Sequence, residues 1–159
     1  MYEATSMEQG IKVDWKLPPK AFYDALGFEG MKDLMYRFYD EIYDSSIAFF
    51  FPQDEDAFNV IKERNALFFI ELCGGPKVYD DSATNGMDLN EYMLRVHDEF
   101  SIYDKSRFEW LGCMETALRE TDIDQSLKDE FWAYLEAFSK LTVNTTADGS
   151  AYYSTTSVN

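Results

Sequence analysis

Residues 31–43, MKDLMYRFYDEIY, carry the pattern that decides the fold. Met31, Leu34/Met35, Phe38/Tyr39 and Ile42/Tyr43 recur every three to four positions. That period lays one apolar stripe along a helix and leaves no strand-like alternation. It extends outward in both directions. Upstream, a short helix is expected to close at Gly30, and Pro18-Pro19 bars helix before about Lys20. Downstream, Asp44-Ser45-Ser46 restarts the chain, and FFFPQDED makes an aromatic corner broken by Pro52. A further helix puts Phe58, Ile61, Asn65, Phe68 and Leu72 in register before Gly74-Gly75-Pro76 stops it. Leu89, Met93 and His97, at steps of four, give a short helix. Two longer ones follow, at about Lys105–Glu120 with Trp110, Cys113/Met114 and Ala117, and at about Gln125–Val143 with Phe131, Leu135 and Phe138. The class is all-α. The domain is expected at residues 21–144, between an N-terminal extension at 1–20 and a Ser/Thr-rich, flexible C-terminal tail at 145–159.

A chain of 159 residues is long enough for one domain with its own core. With 14 Lys+Arg against 30 Asp+Glu, the net charge is −16. This counts against a nucleic-acid surface and against docking on an anionic membrane, both of which rest on clustered basic residues. No apolar run approaches the roughly 18–20 residues of a membrane-spanning helix. The start, MYEATSMEQG, lacks the basic and apolar regions of a signal peptide, so a cytoplasmic location is expected. Cys73 and Cys113, in no CxxC pair, are expected as free buried thiols. His97 is the single histidine, which excludes HExxH and Cys/His zinc frameworks, and no GxSxG elbow supports a Ser-His-Asp triad. The loop YDDSATNGMD resembles a calcium loop, but Ala83 and Tyr92 fall where oxygen ligands belong.

Aromatic content is high, with 3 Trp, 11 Tyr and 13 Phe. Such an excess either fills a core or walls a pocket for a large flat ligand. Several polar groups then sit where core residues belong. Asn65 lies mid-stripe, and burying its amide without a partner would cost on the order of 1–3 kcal/mol. His97 lies on the same face as Leu89, where desolvation favours the neutral imidazole. Tyr39 and Trp110 bring an O–H and an N–H to other inner faces. Taken singly, each is consistent with a satisfied core residue. Taken together, one ligand would satisfy them all: a haem, with iron on the imidazole and a polar diatomic on its other face.

In these residues the chain resembles the truncated haemoglobins, most closely group II. The resemblance runs through YDALGFEG, FYDEIYDSS, FFPQDED, GGPKVY, VHDEFSI, EWLGCM and YLEAFSKLTVN, over about residues 22–144. It implies a compact helical sandwich packed two on two and a haem b (iron protoporphyrin IX) cofactor. His97 would be the iron ligand, its second nitrogen held by a carbonyl that fixes the tautomer. Tyr39, Asn65 and Trp110 would be distal donors, with Ile61 the apolar neighbour on the same helix. Phe51, Phe68, Phe69, Met93, Phe100, Ile102 and Met114 would pad the porphyrin. Arg64 would reach a propionate. Val96 stands where group II often has a basic residue, so Arg95 is expected to take over that contact, and Lys62, Arg64 and Arg95 to form a positive rim.

The resemblance implies reversible binding of dioxygen and other diatomic gases. One alternative is a haem redox enzyme (nitric oxide dioxygenase, peroxidase or sulfide-handling) served by an external reductase. Another is a haem-free helical module that binds protein partners.

Overall fold

Residues 2–79, 84–151 and 155–158 are described by a computed structural model. Residues 80–83, the acidic half of the calcium-like loop, and 152–154 of the expected tail lie outside it. The apolar stripes become five helices among the described residues: α1 (Lys20–Tyr43), α2 (Glu55–Leu72), α3 (Leu89–His97), α4 (Asp104–Arg119) and α5 (Gln125–Ser139). Single 3-10 turns, Ala48–Phe50 and Lys140–Thr142, follow α1 and α5. No helix among the described residues is long and apolar enough to cross a membrane.

α1 packs on α2 and on α4, and α5 packs on both α1 and α4, so that two helices lie on two. The aromatic residues form the joints. Phe22 of α1 stacks on Phe131 of α5 with centroids 4.3 Å apart, and Phe69 of α2 meets the same ring edge-on. Phe38 of α1 meets Trp110 of α4 edge-on at 5.2 Å. Such pairs add to burial because ring edges and faces carry opposite partial charge.

The first two expected helices follow one another in α1 across a kink, which lies earlier than expected. The break falls at Gly27, with φ 71° and ψ 179°, and Gly30 stays helical. Only glycine adopts that conformation without strain, and it lets the first turns tilt relative to the rest. At the end of α2 a different constraint acts. A Cβ on Gly75 would come within 2.7 Å of the Tyr23 ring and 2.8 Å of the Ile70 carbonyl, so the chain passes directly against α1 there. α2 starts cleanly because the Asp54 carboxylate accepts the Ala57 N–H at 2.9 Å.

The terminal segments depart from the expected loose extension and mobile tail. Lys12–Trp15 (β1) pairs in parallel with Thr155–Val158 (β2), in the register Lys12 to Thr155 through Trp15 to Val158. Trp15 is buried against Tyr134 and Phe138 of α5. The alternating exposure of β1, two outward and two inward residues, follows the apolar–polar alternation of Ile11-Lys12-Val13-Asp14-Trp15, which the all-helical expectation left unassigned.

Residues 2–7 run as a strap along α5 and α4. Tyr2 stacks on Trp132 at 4.7 Å, and the Trp132 indole N–H donates to the Glu3 carbonyl at 3.1 Å. Arg107, fully buried on α4, donates to the Thr5 carbonyl (2.7 Å), the Glu136 carbonyl (2.6 Å), the Glu136 carboxylate (3.0 Å) and the Ser139 hydroxyl (2.8 Å). Burial by itself would raise the Glu136 carboxyl, but the Thr5 N–H, Lys140 and Arg107 outweigh it and hold it below the ordinary carboxylate value.

This has a defined pH consequence. The unfolded state takes up the Glu136 proton first, near a pKa of about 4.3. The contact's contribution is therefore complete above that pH and is lost as pH falls toward the lower folded value. Urea titrations between pH 5 and pH 3 should show wild-type stability falling more steeply than that of Glu136→Gln.

Candidate functional site

Where α1, α2 and α3 face α4 and α5, the packing leaves a cavity of about 420 Å³, within the range of small-molecule sites. α1 contributes Tyr39, and α2 contributes Ile61, Arg64, Asn65, Phe68 and Phe69. Phe51 closes the corner between them. α3 and the segment after it bring Met93, Val96, His97, Phe100 and Ile102, and α4 brings Trp110.

His97 occupies the last position of α3. Its Nδ1 lies 2.6 Å from the Met93 carbonyl one turn back. With the imidazole neutral, Nδ1–H donates there and the Nε2 lone pair is left for the cavity. Desolvation pulls the ring below its ordinary pKa, against the Met93 carbonyl and Asp98, which pull upward. The helix itself is held at both ends. The Asp88 carboxylate accepts the Asn90 and Glu91 N–H groups at its start. At its end the Asn144 amide donates to the carbonyls of Phe100 (2.9 Å) and His97 (3.4 Å), and its oxygen accepts the Ile102 N–H (2.9 Å).

Tyr39 is 5% exposed, and its hydroxyl shares a hydrogen bond with the Asn65 side chain. Desolvation drives its pKa far above the ordinary phenol value, so it is a neutral donor across the physiological range. Trp110 is half-buried at the same cavity, braced edge-on by Phe38. Tyr79 shares hydrogen bonds with Tyr92 and with Arg64 at the cavity's edge, which leaves Arg64 as a cation on the lining.

Three expected positions are corrected. Arg95 points to solvent and pairs with Glu91 at 3.0 Å, because the two are one turn apart on the outer face of α3. Met114 is completely buried in the helix core and does not line the cavity, since one turn beyond Trp110 the α4 face has passed the cavity's end. Lys62 pairs with Asp40 at 2.8 Å over the Tyr36 ring. The positive rim of three cations is therefore a single one, Arg64. Asn65, by contrast, lies half-buried on the lining as expected, engaged with Tyr39.

Other lining residues went unassigned in the sequence. Tyr134 and Phe138 of α5 line the cavity, and the Tyr134 hydroxyl donates to Asn90 of α3 at 2.5 Å. Their signal was present, because both lie on or beside the Phe131/Leu135 stripe. Asn144 gave none, since its partners lie more than 40 residues away.

An imidazole braced by its own helix, across an aromatic slot from a phenol and an indole, within four helices layered two on two, defines a short globin. The bacterial-like globin family model matches residues 21–144, and the chain belongs to that family, a family of haem proteins. Among solved structures, the chain is similar to phosphate-bound Hell's gate globin IV, with 29% identity and a TM-score of 0.75 over 92% of this chain and 88% of that one. It is also similar to the thermostable haemoglobin of the actinobacterium Thermobifida fusca (26% identity, TM-score 0.65, 77% and 96% coverage). The group II truncated haemoglobin of Bacillus anthracis shares the fold at 23% identity, with a TM-score of 0.67 over 79% of this chain and 92% of that one.

Proposed function

We propose that the chain binds iron protoporphyrin IX in this cavity through His97 and reversibly holds dioxygen and other diatomic gases beneath Tyr39 and Trp110. The observation that carries this reading is the His97 geometry: Nδ1 tied to the Met93 carbonyl at 2.6 Å, in a cavity walled by aromatic rings. That bond fixes the tautomer with the second nitrogen unprotonated and raises its basicity as a ligand. When bound, haem supplies an iron centre that takes a small ligand and leaves it partially negative.

The chain's own residues then set how long such a ligand stays. The Asn65 amide N–H donates to the Tyr39 oxygen, which leaves the Tyr39 O–H free to point at the ligand. Trp110 can only donate. Ile61 contributes no polar group and keeps water from competing. Arg64, with Tyr79 beside it, supplies the cation for a propionate.

The direct test is the visible spectrum of the reduced protein, where a sharp Soret band should shift when carbon monoxide is added. Absence of any haem spectrum after addition of haemin would overturn the reading. Tyr39→Phe removes one charge-assisted donor, worth roughly 1.5–3 kcal/mol in a dry pocket. Stopped-flow dissociation of dioxygen should accelerate about 10- to 100-fold.

A further inference from the structure

A second recess, of about 750 Å³, lies beside the haem cavity, walled by Met7 of the strap, Phe49 of the corner after α1, Tyr103 ahead of α4, and Thr145 and Ala147 after α5. Two side chains, Ile47 and Ser106, line both spaces. Around this partition sits a small apolar cluster separate from the main core, made of Met7, Val13, Ile102 and Val143 with Phe50 packed against it. Met7, Thr145 and Ala147 fall outside the residues that match the globin family, so one wall of the recess is supplied by segments flanking the matched domain.

Two other edges of the haem cavity carry polar ties. The seam between α1 and α2 beside Tyr39 is closed by the Lys62–Asp40 pair at 2.8 Å and by the Tyr36–Glu63 hydrogen bond. The edge at Arg64 is occupied by its hydrogen bond to Tyr79, which in turn bonds Tyr92. No tie of this kind joins Ile47 to Ser106 among the described residues. One is a hydrocarbon side chain at the N-cap of a three-residue turn, the other a single hydroxymethyl group.

We propose that diatomic ligands reach and leave the haem cavity through this recess, passing between Ile47 and Ser106. An uncharged diatomic needs only a brief side-chain displacement, and rotamer motions of that size take picoseconds to nanoseconds. The proposal rests on the gas-binding reading above and adds its path.

The test is nanosecond flash photolysis of the carbon monoxide complex in wild type, Ser106→Trp and Ala147→Trp. Ser106→Trp plugs the partition. Ala147→Trp fills the recess from an exposed residue, so it keeps the test alive if the first variant folds poorly. Both should slow bimolecular recombination by about tenfold, inside the ~1–3 decades that association rates span among variants. In Ala147→Trp, whose side chain lies outside the haem cavity, ligand dissociation should slow by the same factor, leaving affinity unchanged, because a path alters both directions equally while the end states stay the same. In crystals under xenon pressure, a xenon peak in the recess should disappear in Ala147→Trp. Unchanged rates in both variants with an intact carbon monoxide spectrum would overturn the path alone, as would slowing by Ile61→Trp only. A protein with no carbon-monoxide-sensitive Soret band would overturn the haem reading, and the path with it.

Discussion

His97→Ala should lose tightly held haem. Removing even an outer partner of a metal ligand costs about 10- to 100-fold in affinity, so loss of the ligand itself should exceed ~100-fold. The Soret band should collapse on gel filtration, and imidazole added to the buffer should partly restore it by filling the space the side chain leaves. The apoprotein should be almost unaffected. His97 is half-buried at the end of a short helix, its side-chain hydrogen bond among the described residues goes to its own helix, and Asn144 still caps the segment. Urea unfolding of the two apoproteins should therefore agree within about 1 kcal/mol. The holoproteins should differ by far more, because a ligand that binds only the folded state stabilises it in proportion to RT ln(1 + [L]/Kd). Equal haem retention in the variant would place the iron ligand elsewhere.

Arg107→Ala should be the most destabilising single change among the residues that tie the strap to the helices. The guanidinium is almost wholly buried, and its four hydrogen bonds join α4, α5 and the strap. Burial lowers its pKa while Glu136 and Asp104 oppose that, so its charge persists because it is paired. Truncation leaves the Glu136 carboxylate without its buried partner and the Thr5 carbonyl without a donor. Breaking a buried pair in this way costs about 3–5 kcal/mol. The lower end is expected, since Glu136 keeps Lys140 at 3.5 Å. The change should appear in the urea midpoint and as faster proteolytic cleavage within residues 1–10. Arg107→Lys should recover little, because one ammonium cannot reproduce a planar fork with three acceptor residues.

The strap shows where sequence reading ran out. The segment before Pro18-Pro19 starts polar and then alternates as Ile11-Lys12-Val13-Asp14-Trp15-Lys16-Leu17, and Met7, Val13 and Trp15 are buried. What orders it is a set of contacts spanning more than 90 residues, such as Thr5 to Glu136 and Met7 to Asp104. Nothing in either stretch alone marks those pairings. The cavity-lining positions were far more legible. Tyr39, Asn65, His97 and Trp110 each broke or decorated an apolar stripe, and an apolar stripe is a local property of a helix.

By itself, then, the sequence located the helical segments, the stripes that face inward and four of the polar side chains that line the cavity. It could do so because helical periodicity ties a residue's direction to its neighbours three and four positions away. Tertiary structure alone decided which stripe residues border the cavity and which fill the core. Trp110 lines the slot, while Met114, one turn on, is sealed beneath it. It also decided that Arg64 keeps its place at the slot while Arg95 and Lys62 turn to carboxylates, and that the two ends of the chain meet as β1 and β2. Those outcomes depend on where one element stops against another, a distance that no local pattern encodes.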